Sequence, residues 1–215
     1  MADQFGVSRT VVREAISRLK SLGLVDSRQG SGMFVRAAGF APLHFGERHA
    51  GSQAAVVQMV EVRRALEAEV AALAAERRDA GDIQRIRAAI AALAAAVAEG
   101  GDGVAEDLAF HRTIADAARN PFLLDTLNYL SQYLQGATRV TRANEARRID
   151  FAAQVADEHL NIVDAIEAGD SKGARLAASA HMNNAIQRIG SADPAFWQQE
   201  GEALALPLTR RQGVE

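Results

Sequence analysis

The chain has 215 residues, of which 48% are apolar, so it can bury a sizeable core over one or two domains. It contains no cysteine, which excludes disulfide scaffolds, thiolate zinc sites, iron–sulfur clusters and cysteine nucleophiles. The net charge of −3 conceals an asymmetry: residues 1–36 carry a net +3 and the remainder a net −6, which predicts that only this basic head meets a polyanion.

The first predicted elements, within residues 1–36, are a helix and a hairpin. Ser8 is the expected N-cap residue, and apolar side chains recur at helical spacing over residues 11–22. Residues 24–28 and 33–36 have the composition of two strands joined by a glycine-rich turn at 29–32. The pattern predicts a partial winged helix-turn-helix, in which the hairpin is the wing.

One face of this helix carries the side chains that we predict to contact DNA. A recognition helix enters the major groove by its N-terminal end, and arginine there suits a bidentate contact to guanine. The glycine-rich turn is small enough to approach a minor groove. The predicted DNA-binding residues are Ser8, Arg9, Thr10, Arg13, Gln29, Gly30 and Gly32. The alternative is a solvated basic helix face beside a hairpin.

The rest of the chain is predicted to be helical. A linker is expected at residues 37–53, and every long segment over residues 54–190 has the apolar spacing of a helix. Turn-forming residues interrupt the pattern at 79–82, 100–103, 120–121, 144–148 and 169–170, which predicts a bundle of about six helices. Residues 191–215 contain two prolines and two glycines and are expected to form a flexible tail. The predicted fold class is mostly α.

Four polar side chains fall on apolar stripes of this bundle. Asp107 and His111 lie one turn apart on one stripe, and His159 and His181 lie on two others. Such groups cost roughly 1–3 kcal/mol each unless they have a partner. A divalent metal ion is the simplest shared partner for one carboxylate and three imidazoles, and zinc, nickel and manganese all suit this set. A single histidine in this position is more often a satisfied core residue.

Both parts of the chain resemble known families. Residues 5–25 and 30–35, with the sequences FGVSRTVVREAISRLKSLGLV and GSGMFV, resemble the GntR family of bacterial transcription regulators. The segments DLAFH at 107–111, NP at 120–121, EH at 158–159 and AH at 180–181 resemble the FCD effector domain of the FadR-type GntR subfamily. Members of the family begin the winged helix with a further helix and a short strand. We therefore expect a head that is truncated or that starts upstream, with incomplete apolar cover over Ile16 and Leu19.

The resemblance also implies functional residues in the body. In many FCD domains such an aspartate and three histidines bind zinc, nickel or manganese beneath a small carboxylate effector. Carried over, the ligands are Asp107, His111, His159 and His181. The segment EVRRALE at residues 61–67 also matches, and it places Arg63 where a guanidinium would hold an oxygen of the effector.

We therefore expect a ligand-responsive transcription regulator and not an enzyme. It would act as a homodimer on a double-stranded DNA operator and sense a small organic acid. Two alternatives stay open: a metal-dependent hydrolase, since such an ion can activate water, and a sensor remnant that no longer binds DNA. No apolar run approaches the length of a membrane span, so no membrane contact and a cytoplasmic location are expected.

Overall fold

A computed structural model of the chain describes residues 5–21, 25–28, 32–35 and 52–205. The chain divides into two compact units, Met1–Phe45 and Gly46–Glu215. The boundary falls within the predicted linker, most of which lies outside the described residues. Ser52 and Gln53, at its end, already belong to the first helix of the second unit, as its cap and its first residue.

The first unit contains helix α1 (Arg9–Ser21) and strands β1 (Val25–Arg28) and β2 (Gly32–Val35). The N-cap predicted at Ser8 is present, because its Oγ accepts a hydrogen bond of 3.3 Å from the backbone N–H of Val11. The strands pair antiparallel, with Val25 opposite Val35 and Arg28 opposite Gly32. The predicted helix and hairpin are therefore confirmed.

The described residues cover the apolar stripe of α1 only partly. Val11 is 50% exposed and Leu19 is 39% exposed, whereas Ile16 is half-buried. In β2, Phe34 is also largely exposed. Among the described residues, Ile16 and Leu19 are therefore only partly covered.

Six long helices make up most of the described part of the second unit, in agreement with the predicted bundle. They are α2 (Gln53–Arg77), α3 (Ala80–Ala98), α4 (Val104–Ala117), α5 (Pro121–Ala146), α6 (Ile149–Ala168) and α7 (Ser171–Gly190). None of the described helices is long and apolar enough to cross a membrane.

Local sequence signals explain where these helices begin. Asp79 and Asp82 form a reciprocal capping box at the start of α3, in which each carboxylate accepts from the other residue's backbone N–H. Asn120 caps α5, and Pro121 fills its first position, where no N–H is needed. Gly169 ends α6 in the left-handed conformation, with φ of +74°.

Two apolar clusters hold the bundle together, and α2 contributes to both. One cluster joins the C-terminal half of α2 to α3, α4, α6 and α7 around Phe110 and Ile166, which are fully buried. The other joins the N-terminal half of α2 to α5 and the end of α7. The four predicted metal ligands, Asp107, His111, His159 and His181, are called the quartet below. They lie on α4, α6 and α7, three of the helices that pack against α2 in the first cluster.

The flexible tail expected over residues 191–215 is not what the structure has at residues 194–205. These residues form short helix α8 (Pro194–Phe196), a π-helical turn (Trp197–Gly201) and helix α9 (Glu202–Ala205). Phe196 and Ala205 are fully buried in the second apolar cluster. Burial of an aromatic ring offsets the poor helix propensity that proline and glycine give this segment. Residues 206–215 lie outside the described part of the chain.

Candidate metal centre and adjoining cavity

The four predicted ligands come together in the second unit. His159 Nε2 lies 3.2 Å from His181 Nε2 and 3.6 Å from Asp107 Oδ1. His111 Nε2 lies 3.8 Å from Asp107 Oδ2. One ring nitrogen from each histidine lies within 4.8 Å of the others. The three helices thus bring four donor groups to one point.

Two of the three imidazoles at this point, those of His159 and His181, are held neutral. Burial, reinforced by the neighbouring His181 and His111, lowers the pKa of His159 well below its ordinary value. Burial also lowers the pKa of His181, although the Glu158 carboxylate works in the opposite direction. Neutral imidazole is the form that ligates a metal ion.

A buried carboxylate and arginine lie on the outer side of His111. Glu67 Oε2 lies 2.6 Å from His111 Nδ1, and Glu67 Oε1 accepts a 2.7 Å hydrogen bond from Arg63 Nε. Arg63 Nη1 donates to Thr138 Oγ1 at 3.0 Å. Burial raises the pKa of Glu67, but the charges of Arg63 and His111 outweigh that effect and lower it below its ordinary value.

These contacts change the expectation for Arg63. The guanidinium does lie beside the predicted ligands, with Nη2 4.0 Å from Asp107 Oδ2. Its Nε and Nη1 atoms, however, already have partners in Glu67 and Thr138. Only Nη2 is buried without a hydrogen-bond partner, so Arg63 offers one donor atom and not a complete planar face.

The donor set fits a divalent metal ion. His111 Nε2 is buried and has no hydrogen-bond partner, which is an expensive state for a ring nitrogen. The 3.2 Å between the Nε2 atoms of His159 and His181 is less than the sum of two Zn–N bonds of about 2.0–2.1 Å, so one ion can bond both. Three imidazoles and one carboxylate suit zinc, nickel and manganese alike.

A cavity of about 310 Å³ adjoins the quartet between α2, α4 and α5. Its floor is polar, with Arg63, Glu67 and His111, and its far wall is apolar, with Leu124 and Leu127 of α5. The remaining lining residues are Ala105, Leu108, Ala109, Arg112, Ala115 and Asn128. The volume is that of a small organic molecule. Three buried atoms that lack a hydrogen-bond partner belong to residues of its lining: Arg63 Nη2, Glu67 Oε2 and His111 Nε2.

A second carboxylate near the quartet is held closer to its neutral form. Glu145 on α5 accepts a 3.1 Å hydrogen bond from Arg188 Nε and lies 3.8 Å from Arg142. Burial raises the pKa of Glu145 to about 7, because it outweighs the two arginines, and the Asp107 charge acts in the same direction. At pH values between the ordinary pKa of a glutamate and about 7, folding thus favours the protonated form of Glu145.

We expect Glu145→Gln to change how the stability of the metal-free protein depends on pH. A raised carboxyl pKa stabilises the fold at low pH, and this contribution is lost as pH rises towards about 7. Glutamine mimics the neutral acid at every pH. Relative to wild type, the variant should therefore gain roughly 2 kcal/mol of unfolding free energy between about pH 5.5 and about pH 8.

Urea unfolding of both proteins at the two pH values measures this difference. The histidines titrate in both proteins and cancel in the comparison. Glu99→Gln, which removes an exposed carboxylate, is the matched control and should show no such change. Parallel pH profiles for wild type and Glu145→Gln would contradict the raised pKa.

The predicted DNA-binding residues lie in the first unit. Ser8, Arg9, Thr10 and Arg13 are all exposed, within the first turns of α1 or at its cap. Gly32 begins β2 with φ of +96°, a conformation that favours glycine. Gln29 and Gly30 lie outside the described residues. These four side chains of α1 and its cap are thus exposed, as a contact with DNA requires.

Sequence reasoning missed the carboxylates and the arginine that surround the histidines. These are Glu67, Glu145, Glu158 and Arg188, all buried or half-buried. Glu158 accepts hydrogen bonds from Arg188 and Asn184 and lies 2.8 Å from His181 Nδ1. The i, i+4 spacing of Arg63 and Glu67 was an available signal, since such pairs meet on one helix face.

Comparison with known proteins gives a consistent result for both units. Residues 1–35 match the family described as bacterial regulatory proteins, gntR family, and residues 58–184 match the FCD domain. The HTH-type transcriptional regulator LutR of Bacillus subtilis is 35% identical over 187 residues, which cover 86% of this chain and 85% of LutR. A candidate regulatory protein of the L-lactate dehydrogenase operon of Escherichia coli is 32% identical over 85% of this chain and 72% of its own.

The fold is also found in solved structures. Streptococcus agalactiae GntR superposes with a TM-score of 0.52 at 20% identity, and covers 86% of this chain and 85% of its own. At this identity the likeness concerns the fold alone.

Proposed function

Since this chain belongs to the GntR family of bacterial regulatory proteins and is a DNA-binding transcription regulator with an FCD domain, we propose that a small organic acid controls its DNA binding. The acid binds in the second unit, next to a divalent metal ion held by Asp107, His111, His159 and His181. The relatives reported above are regulators, which points away from an enzyme.

The cavity beside His111 is the observation that carries this proposal. Its lining residues contribute three buried polar atoms with no hydrogen-bond partner: Arg63 Nη2, Glu67 Oε2 and His111 Nε2. A metal ion accounts for the ring nitrogen, and an anionic oxygen accounts for the guanidinium N–H. The lining is otherwise mostly apolar, so a single anionic end on a small molecule suits the cavity better than a molecule charged at both ends.

A 2-hydroxy acid is the chemical class that we assign to the ligand. The bound ion supplies positive charge in a region of low dielectric, where it attracts a carboxylate far more strongly than an amide. An adjacent hydroxyl gives the ligand a second oxygen close to the first. The Escherichia coli relative is named for the operon of an L-lactate dehydrogenase, and lactate belongs to this class.

The regulator acts as a homodimer. One α1 helix can contact only one half-site of the operator. A single DNA-binding unit of this size makes few contacts to DNA. Two copies related by a twofold axis read a palindrome. A ligand that bridges α2, α4 and α5 alters the operator affinity by binding one arrangement of the dimer better than another.

We expect L-lactate and other 2-hydroxy acids to stabilise the metal-loaded protein in a thermal-shift assay. A ligand at about 100 times its Kd adds roughly 2.7 kcal/mol to the stability, a shift of several degrees. The matched amides should give little shift, and removal of the metal by a chelator should abolish the shift from the acids. Equal shifts from acid and amide would contradict the proposal.

A variant whose cavity is filled by a larger side chain tests whether the acid binds in that cavity. Ala109 lines the cavity and is exposed, so Ala109→Phe should remove the response to acids while the metal stays bound. Ala94→Phe places the same side chain on an exposed position of α3 and should respond as wild type. If Ala109→Phe still responds to lactate, the ligand binds elsewhere.

A further inference from the structure

Glu158 joins a buried arginine to one of the proposed metal ligands. Its carboxylate accepts two parallel hydrogen bonds from Arg188, from Nη1 to Oε1 at 2.8 Å and from Nη2 to Oε2 at 3.0 Å. Asn184 donates to Oε1 at 2.8 Å, and Oε2 lies 2.8 Å from His181 Nδ1. Such a bidentate arginine contact fixes both the position and the plane of a carboxylate.

The charge state of Glu158 determines which nitrogen of His181 carries the proton. Both oxygens of Glu158 accept a hydrogen bond from Arg188, and Oε1 accepts another from Asn184. A carboxylate held by a guanidinium in this way is ionised and can only accept. Nδ1 of a neutral His181 must then be the donor, which leaves the lone pair of Nε2 free on the side that faces His159.

The same order of groups occurs on the opposite side of the quartet. Arg63 Nε donates to Glu67 Oε1 at 2.7 Å, and Glu67 Oε2 lies 2.6 Å from His111 Nδ1. Glu67 Oε2 nevertheless has no hydrogen-bond partner, so the bond at Nδ1 that leaves Nε2 for a ligand is formed at His181 and not at His111. A carboxylate partner of this kind also raises the basicity of the imidazole.

We propose that Glu158 is the positioning residue of the metal site: held by Arg188, it fixes His181 in the Nδ1–H tautomer and so presents Nε2 to the ion. This inference rests on the proposed metal site, but it concerns residues that lie outside the ligand set. The expected loss on removing such a carboxylate is roughly 10–100-fold in metal affinity.

The first test needs no metal and leaves Glu158 unchanged. Long-range proton–nitrogen NMR on the metal-free full chain at neutral pH reports the tautomer of each histidine, and His181→Gln identifies the signals of His181. We expect the proton of His181 on Nδ1, although free neutral histidine favours Nε2–H. A proton on Nε2 of His181 would overturn the proposal.

The second test measures affinity for Zn²⁺ by competition with a chromogenic chelator. Glu158→Gln should bind Zn²⁺ roughly 10–100-fold more weakly than wild type. Asp157→Asn removes a charge from the adjacent exposed position and should bind as wild type. Arg188→Lys keeps the positive charge but loses the two parallel hydrogen bonds to Glu158. Its affinity for Zn²⁺ should therefore lie between that of wild type and that of Glu158→Gln.

The outcomes separate this proposal from the metal site itself. If wild type does not bind Zn²⁺, the metal site is wrong and the positioning role is wrong with it, whichever tautomer His181 has. If wild type binds but folded Glu158→Gln binds equally well, the positioning role is wrong and the metal site stands. Should Glu158→Gln not fold, Arg188→Lys and the tautomer of wild type decide, and unchanged affinity in that lysine variant counts against the proposal.

Discussion

Replacing His159 and His181 together with alanine is expected to reduce bound metal from about one equivalent per chain to almost none. The Nε2 atoms of these two residues lie 3.2 Å apart and belong to different helices, α6 and α7. Without them, Asp107 and His111 remain on α4 alone, and two donors on one helix do not make a closed site. Elemental analysis of protein purified without chelator measures the change.

The matched control replaces the two other histidines of the chain, His44 and His49, which are not among the proposed ligands. That control should keep its metal. Because imidazole must be neutral to ligate, occupancy of the wild type should also fall as pH drops through the histidine range. A full equivalent of metal in His159→Ala/His181→Ala would refute the site, and so would wild type that contains none.

Replacing both Arg9 and Arg13 with alanine is expected to cause a large loss of operator affinity. Each side chain is exposed near the N-terminal end of α1, where a recognition helix meets base edges and phosphates. A lost base contact costs roughly 1–3 kcal/mol, so the double variant should bind its operator at least about thirtyfold more weakly. Electrophoretic shift with the DNA upstream of its own gene gives the measurement.

Salt dependence and a charge-matched variant identify the cause. A phosphate contact lowers the slope of log affinity against log salt, whereas a base contact relaxes sequence preference at one position of each half-site. Arg85→Ala with Arg175→Ala removes the same charge from exposed positions of the second unit and should leave binding unchanged. Equal binding by wild type and the α1 variant would show that the basic helix face is merely solvated.

The helix boundaries were predictable from the sequence because their signals are local. The capping box of Asp79 and Asp82, Asn120 before Pro121, and Gly169 all act within one turn of the chain. The quartet was predictable for a similar reason, since polar residues on an apolar stripe need only helical periodicity to be recognised. Asp107, His159 and His181 are indeed buried.

The groups around the quartet were not predictable, because their partners lie far along the chain. Glu158 is next to His159, and adjacent residues on a helix point about 100° apart, so the apolar stripe that contains His159 does not include Glu158. Only the packing of α7 against α6 brings His181 and Arg188 to it. Phe196 was missed for the same reason, since its burial depends on α2, α5 and α7.

The cavity has one wall that the proposed metal ligands do not share. Leu124 and Leu127 on α5 line the space, and neither belongs to the quartet. Under the proposed function, substitutions at these two positions reshape the space without removing a donor to the ion. The choice of acid and the binding of metal can then change independently of one another.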